Sequence, residues 1–228
     1  VEAAHEMLLD NKFGDSGARV VIEEFLEGEE FSLFAFVNGD KFYIMPTAQD
    51  HKRAYDGDKG PNTGGMGAYS PVLHLPQSVV ATAVDTIVKP VLEGMIKEGR
   101  PYLGILYAGL ILTTDGPKVI EFNARFGDPE TQIILPRLTS DFAQNITAIL
   151  DGKEPTITWT NKGVTLGVVV ASNGYPLDYE KGVELPAKTE GDIITYYAGA
   201  KFAENSRALL SNGGRVYMLV TTAVSYTH

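Results

Sequence analysis

The sequence lacks several features that would point to particular classes of protein. It has no cysteine among its 228 residues, which excludes disulfide bonds and thiolate metal sites. Its longest apolar run, residues 102–112, is interrupted by glycines and is shorter than the roughly 20 residues that a membrane-spanning helix needs. The 19 basic residues are outnumbered by 29 acidic ones, giving a net charge of -10, which argues against a nucleic-acid-binding surface. We therefore expect a cytoplasmic protein that binds neither nucleic acid nor membranes. We separately expect a monomer, although nothing in the composition determines the oligomeric state.

The composition is that of an ordinary globular protein. Hydrophobic residues make up 44% and charged residues 21%, so the chain can bury a core. The composition turns polar around residues 154–163, and we place a domain boundary there. This predicts one domain over residues 1–158 and a smaller C-terminal domain over residues 159–228. Both ends of the chain look cut from something longer, so we expect the smaller domain to be truncated.

The hydrophobic patterns predict an α+β fold with antiparallel strands. Apolar pairs at helical spacing predict a helix over residues 77–98, kinked at Pro90, and another over residues 129–150, interrupted near Pro136. Residues 50–71 show no periodicity, which predicts a long loop that is either functional or disordered. The other predicted elements are a helix over residues 2–10, a turn over 11–17, a buried strand over 20–22, strands over 31–37 and 41–45 joined at Asn38-Gly39, strands over 104–113 and 118–123 joined at Asp115-Gly116, strands over 164–171, 193–197 and 215–223, and a helix near 203–212.

The segment over residues 119–130 carries the strongest chemical signal. In a strand, alternation would place Glu121 and Asn123 on one face and turn Ile120 and Phe122 into the core. A carboxylate and an amide oxygen are hard ligands suited to Mg²⁺, and Arg125 could stabilise charge on a transferring phosphoryl group. The alternative is a polar solvent face, followed at residues 127–130 by an ordinary helix cap.

Two further segments have both a functional and a structural interpretation. Residues 22–31 could form a hinge in which the backbone near Glu23 and Leu26 contacts an adenine edge while Glu30 accepts hydrogen bonds from ribose. The alternative is an acidic hairpin turn. Residues 50–53 and the glycine-rich run 60–67 could form an anion-binding nest of backbone amides with added charge from Lys52. The alternative there is a flexible surface loop, and the run does not match a Walker P-loop.

These three segments, in this order, resemble the ATP-grasp superfamily and, within it, the glycinamide ribonucleotide synthetases (phosphoribosylamine–glycine ligases). The resemblance is carried by residues 49–53, 60–71 and 121–130 and extends over the small C-terminal part, with Gly174-Tyr175-Pro176 and residues 212–215. It implies an ATP-grasp antiparallel sheet with flanking helices, followed by a small C-terminal α/β domain.

The resemblance also implies roles for individual residues. Glu121 and Asn123 would hold Mg²⁺, or Mn²⁺, against the phosphates of ATP, with Arg125 facing the reacting phosphate. Glu23, Leu26 and Glu30 would hold adenosine. The residues implied for the glycine and 5-phosphoribosylamine site are Asp50, Lys52, Gly64, Gly65, Met66, Gly67, Asp128 and Glu130.

The implied reaction is the ATP-dependent joining of glycine to 5-phosphoribosylamine through a glycyl phosphate, in purine biosynthesis. Many ATP-grasp enzymes carry another acidic metal ligand on the preceding strand, but residues 107–110 contain no acid, so we expect Glu121 and Asn123 to be the only side-chain ligands. The family's amino-terminal domain and most of its lid lie upstream of Val1, so we expect the isolated chain to be inactive. The alternatives are another ATP-grasp carboxylate–amine ligase and a nucleotide-binding module without catalysis.

Overall fold

Two antiparallel sheets form most of the structure, a computed structural model that describes residues 19–186 and 191–223 and the single positions 5, 8 and 14. The strands are β1 (Glu29–Asn38), β2 (Lys41–Ile44), β3 (Gln49–Asp50), β4 (Arg53–Tyr55), β5 (Lys59–Asn62), β6 (Gly67–Ser70), β7 (Leu103–Thr113), β8 (Gly116–Asn123), β9 (Val164–Ala171), β10 (Ile194–Tyr197), β11 (Ala200–Phe202), β12 (Leu209–Ser211) and β13 (Arg215–Ala223). The helices are α1 (Gln77–Ala83), α2 (Lys89–Lys97), α3 (Thr131–Ile134) and α4 (Phe142–Leu150), with a π-helical turn at Val84–Val88 and a 3₁₀ turn at Leu135–Arg137.

The first sheet has the strand order β2-β1-β7-β8, with every neighbouring pair antiparallel. The predicted hairpins are confirmed, although Asn38 is the last residue of β1 and pairs with Lys41, so the first turn consists of Gly39 and Asp40. Gly39 has a φ of +63°, which glycine adopts without strain. Buried residues of β1 and β7 pack against the helical segment that precedes β7, so one face of this sheet is covered.

The predicted helix over residues 77–98 is confirmed, and its π-helical turn lies next to Pro90, where the sequence predicts a kink. The π-helical turn ends at Val88, and Pro90 lies in the first turn of α2. Proline has no amide hydrogen to donate to the preceding turn, which explains why the helix changes its winding there. The second predicted helix is divided into α3, the 3₁₀ turn that contains Pro136, and α4.

The second sheet combines residues from both predicted domains. Its order is β10-β13-β9-β6-β3, all antiparallel, so strands from residues 49–70 pair with strands from residues 164–223. Helix α3 lies against this sheet: a Cβ atom placed on Gly167 of β9 would come within 2.9 Å of Ile133. The division into domains at residue 158 stays a prediction.

Four predictions about local structure are wrong. Residues 20–22 form no strand, since no strand among the described residues pairs with them, and Val21 and Ile22 are 84% and 86% exposed. Residues 50–71 are not structureless, because they form short strands whose two to four residues are too few to show alternation. Residues 203–212 form no helix, because Leu209–Ser211 pairs with Ala200–Phe202. Phe122 is not in the core but 39% exposed.

The predictions for residues 2–10 and 11–17 fall largely outside the described residues. Across the described part of the chain, no helix has the length and apolar character needed to cross a membrane.

The contact between α3 and β9 makes Gly167→Ala a test of the packing between helix and sheet. The added methyl group would meet Met218, Ile133 and Val220 within 3.1 Å, so we expect a loss of about 1–3 kcal/mol in the free energy of unfolding. Gly94→Ala in α2 is the matched control: its methyl group would meet nothing within 4 Å, and it should stabilise the chain by roughly 0.5–1 kcal/mol. Denaturant unfolding measures both, and equal effects of the two substitutions would contradict this packing.

Candidate functional site

Most of the predicted site residues line three cavities that share lining residues. The loop cavity, about 410 Å³, lies between the start of β1 and residues 49–62. The apolar cavity, about 370 Å³, lies between residues 23–30 and strands β7 and β8. The small cavity, about 170 Å³, contains the acidic residues of the segment over 121–130. Glu30 lines the first two cavities, and Asp50 and Lys52 line the first and third, so the loop cavity adjoins both of the others.

The apolar cavity contains all three residues predicted to hold adenosine. Glu23, Leu26 and Glu30 line it together with an apolar wall from β7 and β8. Lys118 also lines it and pairs with Glu24 at 3.2 Å. The sequence interpretation did not include Lys118. Carboxylates and a lysine at the rim of an apolar pocket can orient a planar ring system that carries hydroxyl and phosphate groups.

The small cavity contains Glu121 and Arg125, which the end of β8 positions. Glu121 pairs with Gly109 of β7, where an added Cβ atom would lie 3.3 Å from the Glu121 side chain. A β-bulge follows, because the next pair is Leu110 with Val119 and Ile120 is left over. The bulge interrupts simple alternation in this strand, and Ile120 lines the apolar cavity. Phe122 is exposed although it pairs with buried Ala108, and its strand is at the edge of the sheet.

Glu121 and Asn123 fit a hard divalent cation. They lie side by side, with Asn123 Nδ2 donating to Glu121 Oε1 at 2.9 Å. Both side chains offer oxygen ligands of the kind Mg²⁺ prefers, and Mg²⁺ commonly takes its remaining ligands from water and phosphate. Among the described residues, no group of three or more His, Cys, Asp or Glu side chains could hold a metal ion, so a cation here would rely on other ligands.

Glu130 is a buried carboxylate, only 2% exposed. Its Oε1 atom accepts hydrogen bonds from Tyr107 Oη at 2.6 Å and from Ser32 Oγ at 3.1 Å. Burial, reinforced by the charge of Glu130, raises the pKa of Tyr107, so the phenol stays protonated and keeps donating. A buried carboxylate needs such donors because its charge has lost its hydration.

Asp50 lies close to Glu130 and carries an unusual pKa. Burial, followed by the negative charge of Glu130, raises the pKa of Asp50 to about 7, while Lys52 and Arg215 oppose the shift. Its Oδ1 atom is buried and has no hydrogen-bond partner among the described residues. An aspartate near half ionisation in a cavity can hold or release a proton at neutral pH.

Lys52 is fixed by Glu30. Its Nζ atom donates to Glu30 Oε2 at 2.8 Å. Burial would lower the pKa of Lys52, but the hydrogen bond and charge of Glu30 raise it, so the lysine stays positively charged. Gln49 holds the same region, because its Nε2 atom donates to the Glu30 carbonyl at 2.8 Å and to Glu29 Oε1 at 2.7 Å.

The glycine-rich run does not form the predicted anion nest. Its amides are already used within the protein: Gly64 donates to Tyr175 Oη, Gly65 to Thr63 Oγ1 and Met66 to the His51 carbonyl. Gly64 lines the small cavity, and Gly65 lies directly behind Asp50, since a Cβ atom there would come within 2.6 Å of Asp50 Oδ1. Met66 and Gly67 belong to the second sheet instead, with Met66 bonded to β9 and Gly67 paired with Val168.

Several residues of this region had no predicted role. Arg215 Nη1 donates to the Gly64 carbonyl at 2.7 Å and to Asp128 Oδ1 at 3.2 Å, and Tyr175 lies beside it. Both belong to segments already singled out in the sequence. Ser32 and Tyr107 gave no signal, because each looks like an ordinary strand residue until the strands are paired.

Sequence comparison places the chain among known proteins. Residues 1–131 match the family model of the phosphoribosylglycinamide synthetase ATP-grasp (A) domain, and residues 165–228 match that of the C domain of the same enzyme. The phosphoribosylamine–glycine ligase of Streptococcus pneumoniae (strain ATCC BAA-255 / R6) is 93% identical over 223 residues, which cover 98% of this chain and 53% of that protein. The ligase of Streptococcus pyogenes serotype M18 is 88% identical over 97% of this chain and 53% of its own length.

Solved structures give the same family. The crystal structure of phosphoribosylamine–glycine ligase from Thermotoga maritima superposes with a TM-score of 0.85 at 36% identity, covering 99% of this chain and 57% of that one. Biotin carboxylase from Campylobacter jejuni, in complex with β,γ-ATP, has a TM-score of 0.66 at 12% identity over 98% of this chain and 47% of its own. That second likeness shows a shared fold only and agrees with the predicted α+β ATP-grasp class.

The chain spans about half the length of the curated relatives it matches. The two family models nevertheless cover most of its residues, and the Thermotoga structure follows nearly all of it. The chain therefore belongs to the phosphoribosylglycinamide synthetase family, with an ATP-grasp fold.

Proposed function

We propose that the full-length protein containing this chain is an ATP-dependent ligase that joins glycine to 5-phosphoribosylamine in purine biosynthesis. The observation that carries this proposal is that the loop cavity adjoins the other two cavities. Most of the residues predicted for adenosine, for metal and phosphate, and for the substrates line these cavities, which share Glu30, Asp50 and Lys52. Its cytoplasmic location and monomeric state stay predictions.

In this proposal the apolar cavity takes the nucleoside of ATP. Glu23, Leu26 and Glu30 line it, and Ile120, turned inward by the bulge, adds to its apolar wall. Glu30 also holds Lys52, whose positive charge can face the phosphate groups beyond the nucleoside. The nucleoside and phosphate ends of ATP would then lie on either side of one carboxylate.

Glu121 and Asn123 would hold Mg²⁺ or Mn²⁺ at the border of the small cavity. Such a cation neutralises negative charge on phosphate oxygens when it is bound. Arg125, which lines the same cavity, provides a fixed positive charge for the phosphoryl group in transfer. These residues position and stabilise charge, and none of them needs to form a covalent bond.

The reaction proceeds in two steps. A glycine carboxylate oxygen attacks the γ-phosphorus of ATP, which forms glycyl phosphate and releases ADP. The amine of phosphoribosylamine then attacks the acyl carbon, phosphate leaves, and the amine gives up a proton as the amide forms. Asp50, Asp128 and Glu130 are carboxylates of the small cavity and can accept hydrogen bonds from amino groups. The other residues proposed for this substrate region are Lys52, Gly64, Gly65, Met66 and Gly67.

The substrate dependence of ADP formation tests the reaction. With full-length protein, Mg²⁺ and ATP, we expect sustained ADP release only when glycine and phosphoribosylamine are both present, since both are consumed. The isolated 228-residue chain should show no turnover under the same conditions. Turnover with a different acid or amine would move the assignment to another ATP-grasp ligase, and ATP binding without any turnover would favour a nucleotide-binding module.

Substitutions at the metal-binding pair test the assignment of Glu121 and Asn123. In the full-length protein, Glu121→Gln and Asn123→Ala should each lower kcat by roughly 10²–10³-fold, because charge stabilisation at the phosphates is lost. Both should also raise the Mg²⁺ concentration needed for half-maximal activity. Glu93→Gln, an exposed glutamate on α2, is the matched control and should leave both quantities unchanged. A Mg²⁺ requirement equal to wild type in both site variants would rule the pair out.

The raised pKa of Asp50 predicts how stability depends on pH. Between about pH 4 and pH 7 the unfolded chain has lost this proton while the folded chain still holds it, so folding stability should fall as pH rises through that window. The loss is on the order of 3 kcal/mol, and Asp50→Asn should not show it.

Denaturant unfolding in metal-free buffer at pH 5 and pH 8 measures this difference. The stability of Asp50→Asn relative to wild type should be greater at pH 8 than at pH 5. A relative stability that is the same at both values would show that Asp50 ionises normally.

A further inference from the structure

Both backbone polar groups of Gly64 are held by side chains from the C-terminal region. The Gly64 amide donates to Tyr175 Oη at 3.1 Å, and the Gly64 carbonyl accepts from Arg215 Nη1 at 2.7 Å. These partners lie 111 and 151 residues further along the chain. Two directed hydrogen bonds on one residue fix its orientation as well as its position.

Arg215 connects the same glycine to Asp128. Its Nη1 atom also donates to the Asp128 carbonyl at 3.1 Å and to Asp128 Oδ1 at 3.2 Å. The Asp128 side chain is 50% exposed, so the charge attraction contributes little by itself. The guanidinium instead provides geometry, because it holds residue 64 and residue 128 at a fixed separation. A Cβ atom on Gly64 would lie 3.0 Å from that guanidinium, so glycine permits this close contact.

The two chain segments that carry Tyr175 and Arg215 are themselves in contact. The ring of Tyr175 lies on Gly214, where a Cβ atom would come within 2.2 Å of a ring carbon. Ser172 donates from its amide to the Gly214 carbonyl at 2.7 Å and from its hydroxyl to the Gly213 carbonyl at 2.8 Å. The segment that carries Tyr175 is thereby joined to the segment that carries Arg215, and the two act as one unit.

We propose that Tyr175 and Arg215 are positioning residues, a clamp that holds Gly64 against Asp128 and so fixes the shape of the small cavity. The inference rests on the proposed function, since it concerns the same site. Gly64 and Asp128 line the small cavity with Asp50 and Glu130. Gly65, the next residue, lies directly against Asp50 and Pro129, so movement of the clamp would displace Asp50.

Loss of the clamp should affect glycine and phosphoribosylamine more than the nucleoside of ATP. The lining of the apolar cavity comes from residues 23–30, β7 and β8 and includes neither Gly64 nor Asp128. Loss of the clamp should therefore disturb the small cavity, where glycine and phosphoribosylamine would meet the reacting phosphate, and leave the nucleoside contacts in the apolar cavity as they were. A residue needed only for folding would reduce the amount of active protein and would not separate the substrates in this way.

Steady-state kinetics of the full-length protein test this separation. Arg215→Ala should lower kcat/KM for glycine and for phosphoribosylamine by about 100-fold, the effect of misplacing a site by about 1 Å. KM for ATP should change much less, because the nucleoside contacts lie in the apolar cavity. Tyr175→Phe keeps the ring on Gly214 and removes one acceptor, so the loss should be only about 5-fold. Arg215→Lys keeps the charge but not the planar fork and should fall between the two.

Rescue and control variants make the test specific. Added guanidinium ion should restore part of the lost activity of Arg215→Ala, because it can occupy the space that the side chain leaves. Arg207→Ala, an exposed arginine of the same region, and Tyr179→Phe, the tyrosine that contacts Tyr175 edge to face, should keep wild-type kinetics without added guanidinium.

Amide hydrogen exchange at Gly64 gives a second readout that does not need activity. Tyr175→Phe should speed exchange at this amide, because its acceptor is gone, and Tyr179→Phe should not. Unchanged exchange in Tyr175→Phe would overturn the clamp. If the wild-type enzyme is active, the clamp would also be overturned by an Arg215→Ala variant that keeps normal kcat/KM for glycine and phosphoribosylamine, or whose KM for ATP changes as much as those values. A wild-type enzyme inactive with both substrates would instead contradict the proposed function, and the exchange measurement would still decide the clamp.

Discussion

The buried carboxylate of Glu130 is the constraint on which both the fold and the site depend. It immediately precedes α3, and it accepts hydrogen bonds from Ser32 of β1 and Tyr107 of β7. Helix α3 in turn packs on the second sheet through Ile133. A carboxylate buried without donors would cost several kcal/mol, so its two hydroxyl partners stabilise the start of α3 next to the first sheet. Burial, and after it the same charge, raises the pKa of Asp50, which links the packing of the two sheets to the chemistry of the small cavity.

The parts of the fold that the sequence predicts correctly are those with long, local patterns. The hairpins of the first sheet carry Asn-Gly and Asp-Gly turn signals between apolar runs, and the helix before β7 repeats its period over many residues. Both signals are visible without tertiary contacts. Strands β3 to β6 have only two to four residues each, and pairing with distant strands decides their structure. Leu209–Ser211 shows the same effect, because its apolar residues suit a helix but pair with β11.

The residues of the candidate site also divide into those that local sequence patterns predict and those that only long-range contacts reveal. Glu121 and Arg125 belong to one short segment, and Asp50 and Lys52 to another, so the sequence identified each group and the structure brings them to a common cavity. Ser32, Tyr107, Tyr175 and Arg215 enter only through contacts between residues far apart in the chain. The anion nest failed for a related reason: glycines permit such a nest, but in this fold their amides have other acceptors.

The pairing of β6 with β9 has a consequence for how this family can evolve. The register runs from Gly67 opposite Val168 to Ser70 opposite Thr165, and an added Cβ atom on Gly67 would come within 2.8 Å of the Gly167 carbonyl. The two segments recognised by separate family models therefore contribute to one hydrogen-bonded sheet. Recombination between homologues at the junction of these segments would pair β6 of one protein with β9 of another, and the two strands would not have evolved to fit each other. Substitutions on β6 and β9 should therefore co-vary.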